Sequence, residues 1–214
     1  MSSKAVVVDY GSGNLRSAEK ALVRAAHEAG LDCDIIVSAD PETVVRADKI
    51  ILPGVGAFAD CMAGLCAIDG LKEALVEAVQ KKATPFLGIC VGMQLMAEWG
   101  LEHGRHQGLG WVKGEIAPLA PEDKALKIPH MGWNELNIKK PHPLLQDVPS
   151  GTHMYFVHSY ALRGNEDDVV ATSDYGGDFT AMVVRDNFAG VQFHPEKSQK
   201  AGLTVVRNFL NWRP

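Results

Sequence analysis

The sequence predicts an α/β fold: a central, mostly parallel sheet flanked by helices, with an additional antiparallel section in the C-terminal half. Three observations carry this. Short β-branched runs alternate with segments of helical period from the N-terminus to Gln94. Glycine-bearing turns close those runs at 11–13, 54–56 and 88–92, where a chain must leave a strand sharply. From about Gly108 the pattern changes to short runs broken by Gly, Pro, Asn and Asp, which reads as hairpins. The chain has 214 residues, long enough to bury a sizeable core. No internal repeat, low-complexity segment or linker divides it, so a single domain over 1–214 is expected.

Taken in order, 5–9 is a buried strand and 10–14 a turn. A helical pattern runs over 15–29 and stops at Gly30. Gly11 and Gly13 suggest a dinucleotide fingerprint, but Arg16 stands where the third glycine belongs. Strands are expected at 34–37 and 50–52, then a helical region to Lys82 that is interrupted around Gly70. A fourth strand covers 86–89 and leads into an amphipathic run from Val91. The antiparallel section holds 111–119, 133–138, 153–160, 169–173 and 180–185. A strand at 188–193 and a helix at 203–212 end the chain.

Composition excludes several classes. A net charge of -5 gives no broad electrostatic reason to bind nucleic acid or an anionic membrane. The longest apolar runs, 50–59 and 86–97, are too short to span a bilayer. The N-terminal run meets Asp9 before it could form a signal-peptide core. Cys33, Cys61, Cys66 and Cys90 form no C-x-x-C, so neither a metal site nor a disulfide framework is expected, and a reducing cytoplasm fits.

The chemistry centres on Gly88-Ile89-Cys90-Val91-Gly92, a glycine-flanked nucleophile at a strand-to-helix junction. The turn is too sharp for flanking side chains, and it pushes Cys90 out at the carboxyl end of the sheet. A helix N-terminus behind it favours the reactive thiolate. The bland alternative is a buried structural cysteine between two packing glycines. A cysteine nucleophile needs a base and an orienting partner. His194-Pro195-Glu196 can supply both, because residues i and i+2 of an extended segment point the same way. The alternative there is an incidental ion pair. Pro53-Gly54-Val55-Gly56 ends the third strand, at the same edge of a parallel sheet as Cys90. Backbone N–H groups of Val55 or Gly56, with that of Val91, suit an oxyanion. The glycines on both sides of Val55 also make a peptide flip inexpensive; if the resting state points the Val55 peptide carbonyl into the site, one oxyanion donor is missing there.

Together, the Pro53–Gly56 turn, the 88–94 elbow and His194-Pro195-Glu196 resemble the triad-type, class I glutamine amidotransferases. Asp9-Tyr10-Gly11-Ser12-Gly13-Asn14-Leu15, Pro129-His130-Met131-Gly132-Trp133-Asn134, Tyr155-Phe156-Val157-His158-Ser159-Tyr160 and Gln192 to Gln199 are similar to one branch, the glutaminase subunits of imidazole glycerol phosphate synthases. These blocks run along essentially the whole chain. The resemblance implies a class I amidotransferase-like fold and hydrolysis of L-glutamine to glutamate and ammonia. It implies Cys90, His194 and Glu196 as the triad. It implies Gly54, Gln94, Glu102, Ser159 and Tyr160 as the glutamine pocket. It implies ammonia delivery to a separate (β/α)₈-barrel cyclase subunit in a heterodimer, through a face carrying Asn14, Trp133 and Lys197. No cofactor or metal is implied. Rival readings are the glutaminase of another ammonia-channelling synthase, a catalytically silent homologue, and a cysteine peptidase. The Met131-Gly132-Trp133-Asn134 block argues against the first and the intact triad against the second.

Overall fold

The computed structural model describes residues 2–164 and 166–214. The first half alternates β1 (Ser3–Val8), α1 (Leu15–Glu28), β2 (Cys33–Ser38), α2 (Pro41–Val45), β3 (Lys49–Gly54), α3 (Phe58–Ala67), α4 (Leu71–Val76) and β4 (Phe86–Cys90). A π-helical turn, Glu77–Lys81, extends α4. Four consecutive residues of β1 and all six of β3 are buried, as strands covered on both faces require. Helix α1 presents Ala18, Ala21, Leu22, Ala25 and Ala26 inward, the spacing of one helical face. Helix α2 was not legible in the sequence; Asp40 caps it by accepting from the Thr43 and Glu42 N–H groups, with Pro41 at its first position.

The second half contains α5 (Val91–Gln94), β5 (Ala97–Gly100), β6 (His106–Gln107), β7 (Val112–Pro118), β8 (His130–Glu135), β9 (Asn137–Ile138), β10 (His153–His158), β11 (Tyr160–Arg163), β12 (Val169–Asp174), β13 (Asp178–Arg185), β14 (Phe188–Val191) and α6 (Gln199–Asn211). The main sheet has the order β2-β1-β3-β4-β14-β13-β12-β9. Strands β2, β1, β3, β4 and β14 are parallel, and β13, β12 and β9 continue it antiparallel. The rest of the expected antiparallel section separates into a ribbon, β10-β8, and a smaller sheet, β11-β7-β5-β6. In that smaller sheet β5 and β7 run parallel. Trp111 ties this region to the main sheet by an edge-on contact with Phe86 at 5.0 Å, an arrangement worth about 0.5–1.5 kcal/mol beyond area burial.

Sheet order decides where a ligand can sit. From β1 the chain moves outward to β2, and from β3 it moves the other way to β4. Right-handed crossovers then put α1 and the α2–α4 group on opposite faces and open a crevice at the carboxyl ends of β1 and β3. The loops after these strands meet there: the Tyr10 hydroxyl donates to Pro53 O at 2.8 Å. Cys90 ends β4, the next strand along, and His194 follows β14, the strand beyond it.

Candidate active site

Cys90 has φ 54° and ψ -111°, a conformation that a side-chain-bearing residue rarely adopts. Such backbone strain costs on the order of 1–3 kcal/mol and persists where the surroundings over-determine it. The surroundings here are two glycines. A Cβ on Gly88 would lie 2.6 Å from Gly92 O, and one on Gly92 would collide with Leu52 O in the neighbouring strand. The helix behind the elbow differs from expectation. Residues 91–97 are all buried, so the run has no solvent face and is not amphipathic. Helix α5 is therefore one turn, and Ala97 already belongs to β5. One turn offers free N–H groups at the elbow but little of the dipole of a long helix.

His194 and Glu196 meet, but not along an extended segment. His194 is extended, whereas Pro195–Lys197 form a single 3-10 turn, because the fixed φ of proline also suits the first position of a helical turn. The turn swings Glu196 back, and its Oε1 lies 2.8 Å from His194 Nδ1, with both side chains buried. Ser198 clamps the turn: its hydroxyl donates to His194 O at 2.7 Å and accepts the Tyr155 N–H at 2.9 Å. The His194 N–H donates to Tyr155 O at 2.9 Å, which fastens the turn to β10. Burial alone would lower the His194 pKa; the neighbouring Cys90 and the bond to Glu196 outweigh it and raise it from 6.5 to about 9. His194 Nε2 is buried and has no hydrogen-bond partner among the described residues.

The thiol itself has other neighbours. Cys90 Sγ lies 3.9 Å from Val157 O, and the Gln192 side-chain N–H donates to Sγ at 3.7 Å. Cys90 and His194 share the wall of a cavity of about 240 Å³ with Val55, Gly56, Val91, Gln94, Glu102, Pro129, Val157, His158, Ser159 and Tyr160. Of the residues expected around glutamine, Gln94, Glu102, Ser159 and Tyr160 line this cavity. Glu102 also accepts the Phe58 N–H at 2.9 Å, at the start of α3. Gly54 lies behind the wall instead of in it: it pairs with Cys90 across β3 and β4, and a Cβ there would meet the Tyr10 hydroxyl at 2.7 Å.

Val55 does not point its carbonyl into the cavity, as the expected flip required; both its N–H and its carbonyl face Ser12 instead. Its N–H donates to Ser12 Oγ at 3.3 Å, and its carbonyl accepts from Ser12 Oγ at 2.8 Å and from Cys61 Sγ at 3.2 Å. Burial pushes the Cys61 thiol above its ordinary 9.0, which keeps it a donor. Gly56 follows with φ +93°, a conformation reserved for glycine. Outside the cavity, Trp133 is 47% exposed and Met131 62%, so Trp133 is not a core aromatic. Trp133 packs edge-on to Tyr155 at 5.9 Å, and Lys197 Nζ stands 5.8 Å from the same ring. Asn14 precedes α1, and its carbonyl accepts the Ala18 N–H at 3.0 Å.

Sequence reasoning assigned no role to Gln192, Ser12, Ser198, His130 or His158. For Gln192 a signal was present, since it stands two residues before His194. His158 donates from Nδ1 to Tyr160 O at 2.9 Å, and its Nε2 lies 3.0 Å from His130 Nδ1. A carbonyl can only accept, so His158 Nε2 accepts from His130 when both rings are neutral. Burial lowers each from 6.5 to about 4. Among the described residues no three His, Cys, Asp or Glu side chains are placed to hold a metal ion. No described helix is long and apolar enough to cross a membrane.

The family model for class I glutamine amidotransferases matches residues 6–212. The chain is 56% identical over 215 aligned positions to the imidazole glycerol phosphate synthase subunit HisH of Agrobacterium fabrum, covering 99% of this chain and 100% of that one. It is 56% identical to the subunit of the same name from Caulobacter vibrioides, covering 97% and 98%. Among solved structures, a glutamine amidotransferase superposes with a TM-score of 0.71 at 18% identity, over 96% of this chain and 97% of the other. A glutamine amidotransferase from Thermotoga maritima gives 0.64 at 15%, over 94% and 79%. The strained cysteine elbow and the His–Glu pair across one cavity thus stand in a fold that these enzymes share. By model and by identity, the chain belongs to the class I glutamine amidotransferases, in the family of the HisH subunits of imidazole glycerol phosphate synthase.

Proposed function

We propose that the cavity hydrolyses L-glutamine through a Cys90 thioester, with His194 as acid and base and Glu196 as its orienting partner. The observation that carries this is a strained nucleophile facing the same cavity as an imidazole whose Nδ1 is held by a buried carboxylate. His194 Nε2 takes the thiol proton, and Sγ attacks the side-chain amide carbon. The tetrahedral oxyanion is met by the Val91 N–H and by an N–H from Val55 or Gly56. His194 returns the proton to the amide nitrogen, the C–N bond breaks and ammonia leaves. Water then attacks the thioester while His194 takes its proton. The C–S bond breaks, glutamate leaves and the thiol is restored. Glu196 keeps the proton on Nδ1, so that Nε2 is free to exchange one with the reactants.

Gln94, Glu102, Ser159 and Tyr160 bind glutamine, and Gly54 supports the wall by letting β3 approach the elbow. The Ser12 bond to the Val55 N–H keeps that one candidate donor out of the cavity, which supports a resting state in which Val55 does not serve the oxyanion. Ammonia passes to a (β/α)₈-barrel cyclase subunit that makes imidazole glycerol phosphate in histidine biosynthesis, the two chains forming a heterodimer in the cytoplasm. The exposed Met131 and Trp133, with Lys197 and Asn14, form the docking face. Contact there reaches the triad by a short route, because Lys197 adjoins Glu196 and Tyr155 is bonded to His194 and Ser198. The test is glutamate release from glutamine by the wild-type chain, Cys90→Ala and Cys90→Ser, each with the cyclase and its ligand. Both variants are expected to be inactive and folded; substantial turnover in either would overturn the assignment.

A further inference from the structure

Gln192 is fully buried at the end of β14, and the backbone alone accounts for its place there: its N–H donates to Ala181 O at 2.9 Å and continues the ladder with β13. Its side chain does something else. One carboxamide atom faces Gln94 at 3.0 Å, and the other faces Cys90 Sγ at 3.7 Å. Which atom is which follows from the chain of partners. Gln94 touches Tyr160 O at 3.1 Å, and a carbonyl oxygen only accepts, so that Gln94 atom is Nε2. The same Nε2 meets Gln192, so the Gln192 atom facing it must be the acceptor Oε1. The remaining Gln192 atom, Nε2, is therefore aimed at the sulfur. A fixed carbonyl in the cavity wall thus dictates, through two buried amides, that a donor points at the nucleophile.

We propose that Gln192 is a further catalytic residue: its side-chain N–H holds Cys90 Sγ and stabilises it as the thiolate that attacks the substrate. An N–H donor binds a thiolate much more strongly than a thiol, and in a buried site water cannot replace it. The donor thus meets the charge on the attacking sulfur and fixes where the sulfur lies before substrate arrives. Gln94 is the positioning residue behind it. This rests on Cys90 being the nucleophile, and the experiment separates the two claims.

The test is alkylation of Cys90 by iodoacetamide at neutral pH, followed by mass spectrometry of the Cys90 peptide, in the full chain and in Gln192→Met and Gln192→Leu. Glutaminase kinetics are measured alongside, with the cyclase subunit and its ligand present. Both variants are expected to alkylate Cys90 about 10- to 100-fold more slowly, the worth of one hydrogen bond to a charged acceptor. The kcat should fall to a similar degree while KM moves little. A merely structural Gln192, acting only through Gln94 on the pocket, predicts the opposite: raised KM with Cys90 alkylated at the wild-type rate. That result would overturn the proposal and leave the triad standing, whereas an active Cys90→Ala would remove both. Should the variants not fold, the unchanged protein decides. In its NMR spectrum one Gln192 side-chain amide proton must shift with the same pH midpoint as Cys90 alkylation, and a proton that stays still refutes the contact.

Discussion

Ser12→Ala is expected to raise the glutaminase activity of the chain on its own. Ser12 Oγ accepts the Val55 N–H at 3.3 Å and donates to Val55 O at 2.8 Å, so one hydroxyl holds both polar groups of that residue. Each bond is worth about 0.5–1.5 kcal/mol net. A flip of the 54–55 peptide breaks only the bond from the Val55 N–H, so its loss weakens the resting orientation by about 0.5–1.5 kcal/mol, or about 2- to 13-fold in its balance against the flipped one. The ceiling is the full worth of an oxyanion donor, about 10²–10³ in kcat. The assay is glutamate production by the isolated chain, by the chain with the cyclase, and with the cyclase plus its ligand. The isolated rate should rise and the fully activated rate should not, so the ratio between them shrinks. An isolated rate at or below wild type, in a variant with a normal thermal melt, would refute the Ser12 latch.

Other outcomes are specific enough to check. A glutamine-like chloroketone should label Cys90 and spare Cys33, Cys61 and Cys66, as read by mass spectrometry of the digest; equal labelling of all four would remove the case for a special thiol. His130 and His158 are buried with pKa values lowered from 6.5 to about 4, so stability is full above 6.5 and is lost as pH falls from there toward 4. A His130→Asn, His158→Asn double variant should flatten that acid limb in urea titrations, and an unchanged limb would contradict the argument. His194 has the opposite sign: raised to about 9, it adds stability that is complete below 6.5 and lost as pH rises through 9, and His194→Ala should remove that alkaline decline. Gly92→Ala should destabilise by at least about 1–3 kcal/mol in thermal or urea unfolding, since the added methyl would collide with Leu52 O; a neutral result would show that the elbow has room.

Much of this molecule was determined by local sequence. The buried runs of β1, β3 and β4 and the inward face of α1 follow from apolar spacing. Gly88 and Gly92 mark the elbow, because no other residue lets strand and helix come so close. The position of Cys90 at a strand end and the nearness of Glu196 to His194 are short-range facts, and both were legible. Other features were decided only by tertiary structure. Helix α5 stops after one turn because residues 97–100 are drawn into a second sheet, a non-local pairing that no window around Val91 reveals. Glu196 reaches His194 through a 3-10 turn, clamped by Ser198 and Tyr155, not along an extended segment. Ser12 and the His130–His158 pair act through partners tens of residues away in the chain that no periodicity or motif encodes, and for Gln192 only its place two residues before His194 was a local signal. Local sequence placed Cys90 at a glycine-flanked strand end and His194 two residues before Glu196. The long-range packing of the loops after β1 and β3, and of the ribbon against the triad turn, decided which donors surround the sulfur and which amide faces away from it. Those choices depend on hydrogen bonds between segments that meet only once the sheet has formed.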